Sequence, residues 1–535
     1  MVTGPERSRT ALALAVALLS AGVLAAGDPR REPEQAASGA IKGPFAALLA
    51  ESTDLGPAQA DDVQLTIALR SGSRPGLLTG WAQQRGLSVR WRPGDTWAIL
   101  EGRPAALARA LDVDVRGYRG QRGQVFYASP QQPSVPVPLR SEVTALGRVL
   151  GYTPHHESRP PRPPLDVPDQ GLTPEALLST YNIRSLRDRG YTGKGVTVVV
   201  FAFDGFDQAD LDMFASSFGL PQFTPDVVGG QPPEQRGEAT MDLQAIHAIA
   251  PDATKVLVNA LPTVEGDGSY EKIAEMMEDT TRRYPGAVWS FSIGWGCDKL
   301  ITAADLLPVR SALTAANRAG TTAFNASGDL AGLACKGGQA WAAPPSTDDI
   351  GLDAVASIPE MTSVGGTALS TDADGVWIAE QAWFDAPLTQ GSGGGVSAIF
   401  DRPDWQQDLD VGVGAGQRLS PDIAAVADPL TGVKFVFDQQ VVVGGGTSLS
   451  APIWAGLTAV MNQFIIERDG SSLGDLNPLL YQVARDAAVP ALRDITLGAN
   501  AVDFAGPGYD LVTGLGSPNV EVLVQSLLEA QKSAR

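Results

Sequence analysis

Histidine is nearly missing from this chain: there are three in 535 residues, at positions 155, 156 and 247. Cysteine is scarcer still. Cys297 and Cys335, with no clustered histidine beside them, offer no zinc site, and in an oxidising compartment such a pair suggests one disulfide. After the N-terminal region no run is long and apolar enough to span a bilayer. Basic charge is short where it would matter for nucleic acid. Residues 172–535 hold 21 Lys and Arg against 44 Asp and Glu, in a chain of net charge −20, and so acidic a surface repels a phosphate backbone. It suits work at low pH, where many carboxylates lose their charge.

What is present divides the chain into segments. Arg7 and Arg9 precede an uncharged apolar run from Ala11 to Ala26, which small residues follow. Residues 1–27 read as a cleaved signal peptide, leaving a secreted, extracellular protein with no membrane attachment. Residues 28–60 read as a loose linker. From Val63 the pattern runs strand, helix (77–86), strand, strand (96–101), helix (105–111), and a last strand near 113–118. That β-α-β-β-α-β order predicts a small ferredoxin-like α+β domain over 61–157. Pro160-Pro161-Arg162-Pro163-Pro164 marks 158–171 as an extended, easily cut linker. The larger domain, 172–535, opens with Thr173-Pro174 and a short helix. The apolar run Val196–Phe203 has the composition of a buried parallel strand. Alternating helical and extended segments follow as far as Asn325, which predicts an α/β fold: a parallel sheet with helices on both faces.

Gly444-Gly445-Gly446-Thr447-Ser448 leads into an apolar helix over 453–464, with Pro452 expected in its first turn. A serine at a helix start is either a cap or a nucleophile served by free backbone N–H groups. The stretch does not fit G-x-S-x-G, because Ser450 stands at the second glycine position. A nucleophile needs a base. His155 and His156 precede the proline-rich linker, and His247 follows Asp242 by five residues, about 140° around a helix, so a Ser-His-Asp triad is hard to assemble. Glu238 and Asp242, four apart, share one helix face. They are either favourable charges in a first turn or a coupled base that works at acid pH. Asp329 follows Ser327-Gly328 at a strand end, either in a plain turn or as a carboxylic acid able to donate to an oxyanion, with Asn325 as competing donor. Asp204 is the aspartate that a subtilisin-type site would use, but no His-Gly-Thr exists to complete it.

Together these motifs resemble the sedolisins, or serine-carboxyl peptidases, of the kumamolisin type. Glu238-Ala239-Thr240-Met241-Asp242 is similar to the family's Glu-x-x-x-Asp motif, and Gly446 to Pro452 is similar to its G-T-S-x-x-x-P. Ser327-Gly328-Asp329 matches the oxyanion aspartate. Ser290 to Gly296 resembles the substrate-binding strand, with Ser292, Gly294 and Trp295 as contacts. Thr362 to Thr367, Ser392 to Ser397 and Pro421-Asp422-Ile423 also fit, although three glycines precede the serine where many members have Ser-Gly. The resemblance implies a subtilisin-like fold and a zymogen whose ferredoxin-like prodomain acts as an intramolecular inhibitor. It implies an acid-acting endopeptidase that cleaves protein or peptide substrates. Ser448 would be the nucleophile, Glu238 the base, Asp242 its partner and Asp329 the oxyanion donor. It also implies one Ca²⁺ held by Asp494 and Asp510 through side chains and by Ile495, Gly506 and Gly508 through carbonyls, all hard oxygen donors. Two alternatives stay open: an inactive peptide-binding relative, and an aspartic-type peptidase that does not need Ser448.

Overall fold

Side chains of the Thr197–Ala202 strand part to opposite sides. Val198, Val200 and Ala202 enter one core, while Val199, Phe201 and the following Phe203 enter another, the two-residue period of a strand buried on both faces. This is a computed structural model describing residues 39–155, 171–265, 270–336, 346–386, 390–409, 411–414 and 416–534. The expected signal peptide, His156 and all of the processing linker except Gly171 lie outside the described residues.

The central sheet has eight strands. Asp226–Val228, Thr254–Asn259, Thr197–Ala202, Val288–Phe291, Thr322–Ala326 and Thr362–Thr371 run parallel in that spatial order. Ile423–Val426 adds a parallel strand to the last of these, and Trp377–Ala382 an antiparallel one. Two helices, Glu238–Ile249 and Thr447–Asp469, pack together in the core of one face; Tyr270–Arg283 and Leu307–Arg318 pack together on the other. The α/β layering expected from the sequence is therefore present. The expectation that no run after the N-terminal region is long and apolar enough to span a bilayer needs correction: among the described residues the helix Thr447–Asp469 is, because a helix buried in the core is apolar nearly all round.

The N-terminal part has its own core around Val63, Leu65, Ile67, Leu78, Leu100 and Leu107. Its four-stranded antiparallel sheet runs Ser88–Arg90, Trp97–Gly102, Val63–Leu69, Val143–Leu146, with helices Gly76–Gln83 and Pro104–Leu111 between strands in the ferredoxin-like order. Two expectations need correction. The fourth strand is Val143–Leu146, not 113–118; Arg116–Arg119 instead joins Thr53–Pro57 and Val125–Ala128 in a separate three-stranded sheet. The supposed linker at 28–60 also carries structure, because Pro44–Ala50 is helical and Thr53–Pro57 is that sheet's edge. Phe45 explains the order: its ring is fully buried with Tyr118 and Phe126. The described residues, from 39 onward, belong to one compact unit.

Candidate active site

Gly446 has φ 87° and ψ 160°, a conformation that suits glycine, and the helix starts at the next residue. Ser448 is thus the second helical residue. Its N–H, one of those a helix start leaves free, makes no hydrogen bond among the described residues. Pro452 stands in the second turn, one turn later than the sequence suggests. Its missing N–H would have gone to the Ser448 carbonyl, four residues back. The Ser292 hydroxyl takes that place, donating to the Ser448 carbonyl oxygen at 2.9 Å.

Glu238 opens the neighbouring helix, and Asp242 lies one turn further on; both are buried. Gly237 has no side chain to cap this helix, so Asp204 does so from the end of the Thr197–Ala202 strand. Asp204 Oδ2 accepts from the N–H groups of Arg236 at 3.0 Å and Glu238 at 3.1 Å, and Oδ1 from Ala239 at 3.0 Å. The Ser448 hydroxyl faces Glu238, favouring the ionised carboxylate, and the Ser292 hydroxyl faces Asp242. The approach is loose. None of the four carboxylate oxygens has a partner at full hydrogen-bonding distance, as is common in a site without substrate.

Burial pushes Glu238 well above the ordinary glutamate range, and the charges of Asp242, Asp204 and Asp329 push in the same direction. Burial and Asp204 likewise raise Asp242. Two carboxylates so placed titrate together and hold one proton between them to a higher pH than either would alone. The Ser292 proton is committed to the Ser448 carbonyl, so a proton shared between Ser292 and Asp242 has to come from the Asp242 carboxylic acid.

Asp329 sits three residues past the Thr322–Ala326 strand. Its Oδ1 accepts from the Thr447 N–H at 2.8 Å and the Thr447 hydroxyl at 2.7 Å, capping the serine helix. Its Oδ2 makes no hydrogen bond among the described residues, and burial raises its pKa. A cavity of about 160 Å³ joins Asp329 to Ser448, with Ser292, Gly294, Gly328 and Asp353 in its wall. Ser448, its free N–H and a protonatable acid thus meet at one hollow, and Glu238 faces Ser448 from outside its lining. That is the equipment for acyl transfer.

Kumamolisin of Bacillus sp. (strain MN-32) is 30% identical to this chain over 472 residues, 82% of this chain and 80% of that protein. The chain belongs to the sedolisin family of serine-carboxyl peptidases. Sedolisin itself, from Pseudomonas sp. (strain 101), is 28% identical over 352 residues, 62% of this chain and 58% of that one. Tripeptidyl-peptidase 1 of Homo sapiens is 25% identical over 437 residues, 75% and 73% of the two chains. The solved structure of Pseudomonas sedolisin complexed with two molecules of pseudo-iodotyrostatin matches in fold with a TM-score of 0.57 at 24% identity, covering 67% of this chain and 98% of that one. No family model matches.

In this member of the family the expected site residues fall unevenly. Ser292 and Gly294 line the cavity, but the Trp295 side chain does not; it is fully buried and meets Phe203 edge-on at 5.5 Å. Asn325, the competing donor, is spent on the carbonyls of Ile293 and Ala326. His247 is buried, stacked on Phe223 at 3.8 Å and bonded to the Pro221 carbonyl, and burial lowers its pKa to about 3. Cys297 and Cys335 are bonded to each other. Sequence reasoning missed Thr447, the partner of Asp329, and Asp353. The Asp353 carboxylate accepts from the N–H groups of Trp295, Val355 and Ala356, and burial raises its pKa to about 7. Nothing in the sequence marks Asp353, but Thr447 adjoins the serine and was within reach.

The C-terminal residues also come together. Asp494 Oδ2 accepts from the Gly508 N–H at 2.9 Å and Asp510 Oδ2 from the Gly506 N–H at 3.2 Å, so one loop is strung between two carboxylates. No hydrogen bond among the described residues ends on Asp494 Oδ1 or on the carbonyls of Ile495, Gly506 and Gly508. Three free carbonyl oxygens and one free carboxylate oxygen are of the hard kind a divalent cation takes, while the Asp510 carboxylate already accepts from the N–H groups of Gly506, Val512 and Thr513 and from the Thr513 hydroxyl.

Proposed function

We propose that this peptidase is a secreted, acid-acting endopeptidase made as a zymogen, with Ser448, Glu238 and Asp242 as its triad. One observation carries the reading: Ser448 faces a buried, proton-retaining pair of carboxylates, while the catalytic domain's histidine is stacked away. Glu238 takes the Ser448 proton as the hydroxyl oxygen attacks the scissile carbonyl carbon. The tetrahedral oxyanion receives hydrogen bonds from the Ser448 N–H and protonated Asp329. Glu238 then gives its proton to the leaving amine, and an acyl-enzyme forms. Glu238 takes a proton from water as the water oxygen attacks the ester carbon, and gives it to the Ser448 oxygen as the acyl bond breaks, which frees the carboxylic acid product. Asp242 keeps a proton near the pair and orients Glu238.

The zymogen reading is supported by contacts between the two parts of the chain. Pro154 lies so close to Gly296, in the cavity wall, that a Cβ there would come within 2.4 Å of it. Arg90 forms a two-pronged pair with Glu271 at 2.7 Å, and Arg92 with Glu278 at 2.7 and 2.8 Å. These ion pairs join a basic face of the prodomain to the acidic catalytic domain, and an acid trigger would act by weakening that attraction. Asp494, Asp510 and the carbonyls of Ile495, Gly506 and Gly508 would hold one Ca²⁺, which supplies charge neutralisation that pins the loop. Secretion agrees with the disulfide and the N-terminal apolar run.

The test is to incubate purified wild type and Ser448→Ala at pH 3–5 and follow chain shortening, casein cleavage and product length. Wild type is expected to shorten and to cut casein internally, and Ser448→Ala and Glu238→Gln to do neither. A silent wild type means a peptide-binding relative. An active Ser448→Ala means an aspartic-type route, and products of uniform short length mean an exopeptidase.

A further inference from the structure

The helices that carry nucleophile and base share a construction. Each begins after a glycine that has no side chain to cap it, Gly446 and Gly237. Each is capped instead by an aspartate just past the end of a central parallel strand. Asp329 serves the Ser448 helix, and Asp204 serves the Glu238 helix with three N–H bonds at 3.0–3.1 Å. Asp329 also lines the reaction cavity; Asp204, 4% exposed, touches no part of it.

We propose that Asp204 is a positioning residue for the Glu238–Asp242 pair: it locks the first turn of their helix and stands behind both carboxylates as a fixed negative charge, so that it sets the pH range in which the pair works. The proposal rests on the Ser-Glu-Asp reading above.

The charges around the pair come from three elements. Asp204 follows the Thr197–Ala202 strand and Asp329 the Thr322–Ala326 strand; Arg236, bound to Glu234, precedes the helix beside Asp204. Burial raises Asp204, but its three N–H bonds and Arg236 oppose that, whereas Glu238 and Asp242 are raised well above their usual range. Asp204 therefore ionises first and is already negative when the pair titrates. Its charge repels the charge that ionisation of the pair creates. Removing it makes both carboxylates easier to ionise, which moves the pair to lower pH.

Asp204→Asn keeps the shape and removes the charge. The experiment measures kcat/KM against pH for the acid-processed full-length chain as wild type, Ser448→Ala and Asp204→Asn. Cleavage by wild type with a silent Ser448→Ala upholds the underlying reading. Both limbs of the Asp204→Asn profile are then expected about one pH unit below those of wild type. Limbs that stay in place while the maximum falls make Asp204 a plain helix cap and overturn the proposal. Should the asparagine variant not fold, Asp204→Glu decides: it keeps the charge on a longer arm, so its limbs should match wild type at reduced kcat. Glutamate limbs shifted downward overturn the proposal. A wild type that cleaves nothing removes both the reading and this inference.

Discussion

The Ser292 hydroxyl donates to the Ser448 carbonyl oxygen across 156 residues of sequence, at the one point of the serine helix where Pro452 leaves a carbonyl without its helical partner. The helix can therefore carry a proline in its second turn without an orphaned buried acceptor. The bond also ties the end of the Val288–Phe291 strand to the backbone of Ser448 itself.

Ser292→Ala leaves that buried carbonyl unpaired and is expected to lower stability by about 1–2 kcal/mol. It also removes the hydroxyl that faces Asp242, so kcat should fall more than KM rises. Thermal unfolding and steady-state kinetics check both, and an alanine variant equal to wild type in both makes the bond dispensable.

Asp242→Asn cannot take up or release the proton that the pair holds. We expect kcat/KM to drop by about 10³-fold or more with the fold retained, comparable to Glu238→Gln, because groups acting as a unit fail together. A Glu238→Gln/Asp242→Asn double variant no worse than either single one would support that coupling, while strictly multiplicative losses would argue against it.

Stability should be greatest in acid. Glu238 and Asp242 are raised by burial, as are Asp298 to about 6 and Asp353 and Asp475 to about 7. A carboxyl whose folded pKa exceeds its unfolded value contributes stability below the unfolded pKa and loses it as pH rises through the folded one. For these groups the window runs from about pH 4 to about pH 7. His247, lowered to about 3, works the other way between about pH 6.5 and 3, and is outnumbered. In Ser448→Ala, which cannot digest itself, the melting temperature should fall between pH 4.5 and 7.5, and adding Glu238→Gln should flatten the slope. A melting temperature that rises over this interval contradicts the assignment.

One calcium per chain is expected by metal analysis, lost on substituting Asp494→Asn and Asp510→Asn together. Chelation should lower the melting temperature of Ser448→Ala, since a ligand at about 100 times its Kd adds about 2.7 kcal/mol. An unchanged melting temperature with no bound metal would make the loop self-sufficient.

Replacing Arg90 and Arg92 by glutamine removes the cationic partners of Glu271 and Glu278. Processing followed on gels should then proceed at pH 7 at a rate closer to that at pH 4. If the double variant remains as slow as wild type at neutrality, these pairs do not hold the zymogen closed.

The parallel strands and the catalytic motifs were legible because each is local: a run such as Val198–Phe201 states its own burial, and Glu238 with Asp242 states a helix face. What escaped notice depends on distant partners. Residues 113–118 and 143–146 are comparable short extended stretches, and only the pairing of Val63–Leu69 with Val143–Leu146 decides which completes the ferredoxin-like sheet. The order in Pro44–Ala50 depends on a pocket for Phe45 made by Tyr118 and Phe126. Trp295 reads as a substrate contact beside Gly294, but its ring turns inward to Phe203. In the sequence Asp204 reads only as a subtilisin-type aspartate, because a helix cap reaching across 34 residues leaves no local trace.

The disulfide between Cys297 and Cys335 follows directly on Gly296 and Ala334, both in the cavity wall, and Cys335 Sγ presses against Gly351, where a Cβ would come within 2.3 Å. Three stretches of the wall are thereby hooped together. A peptidase at high concentration is among its own nearest substrates, and exposed loops are cut first. A nick between residues 298 and 334 would leave both severed ends joined through sulfur. The hollow beside Ser448 should therefore outlast the first rounds of autolysis.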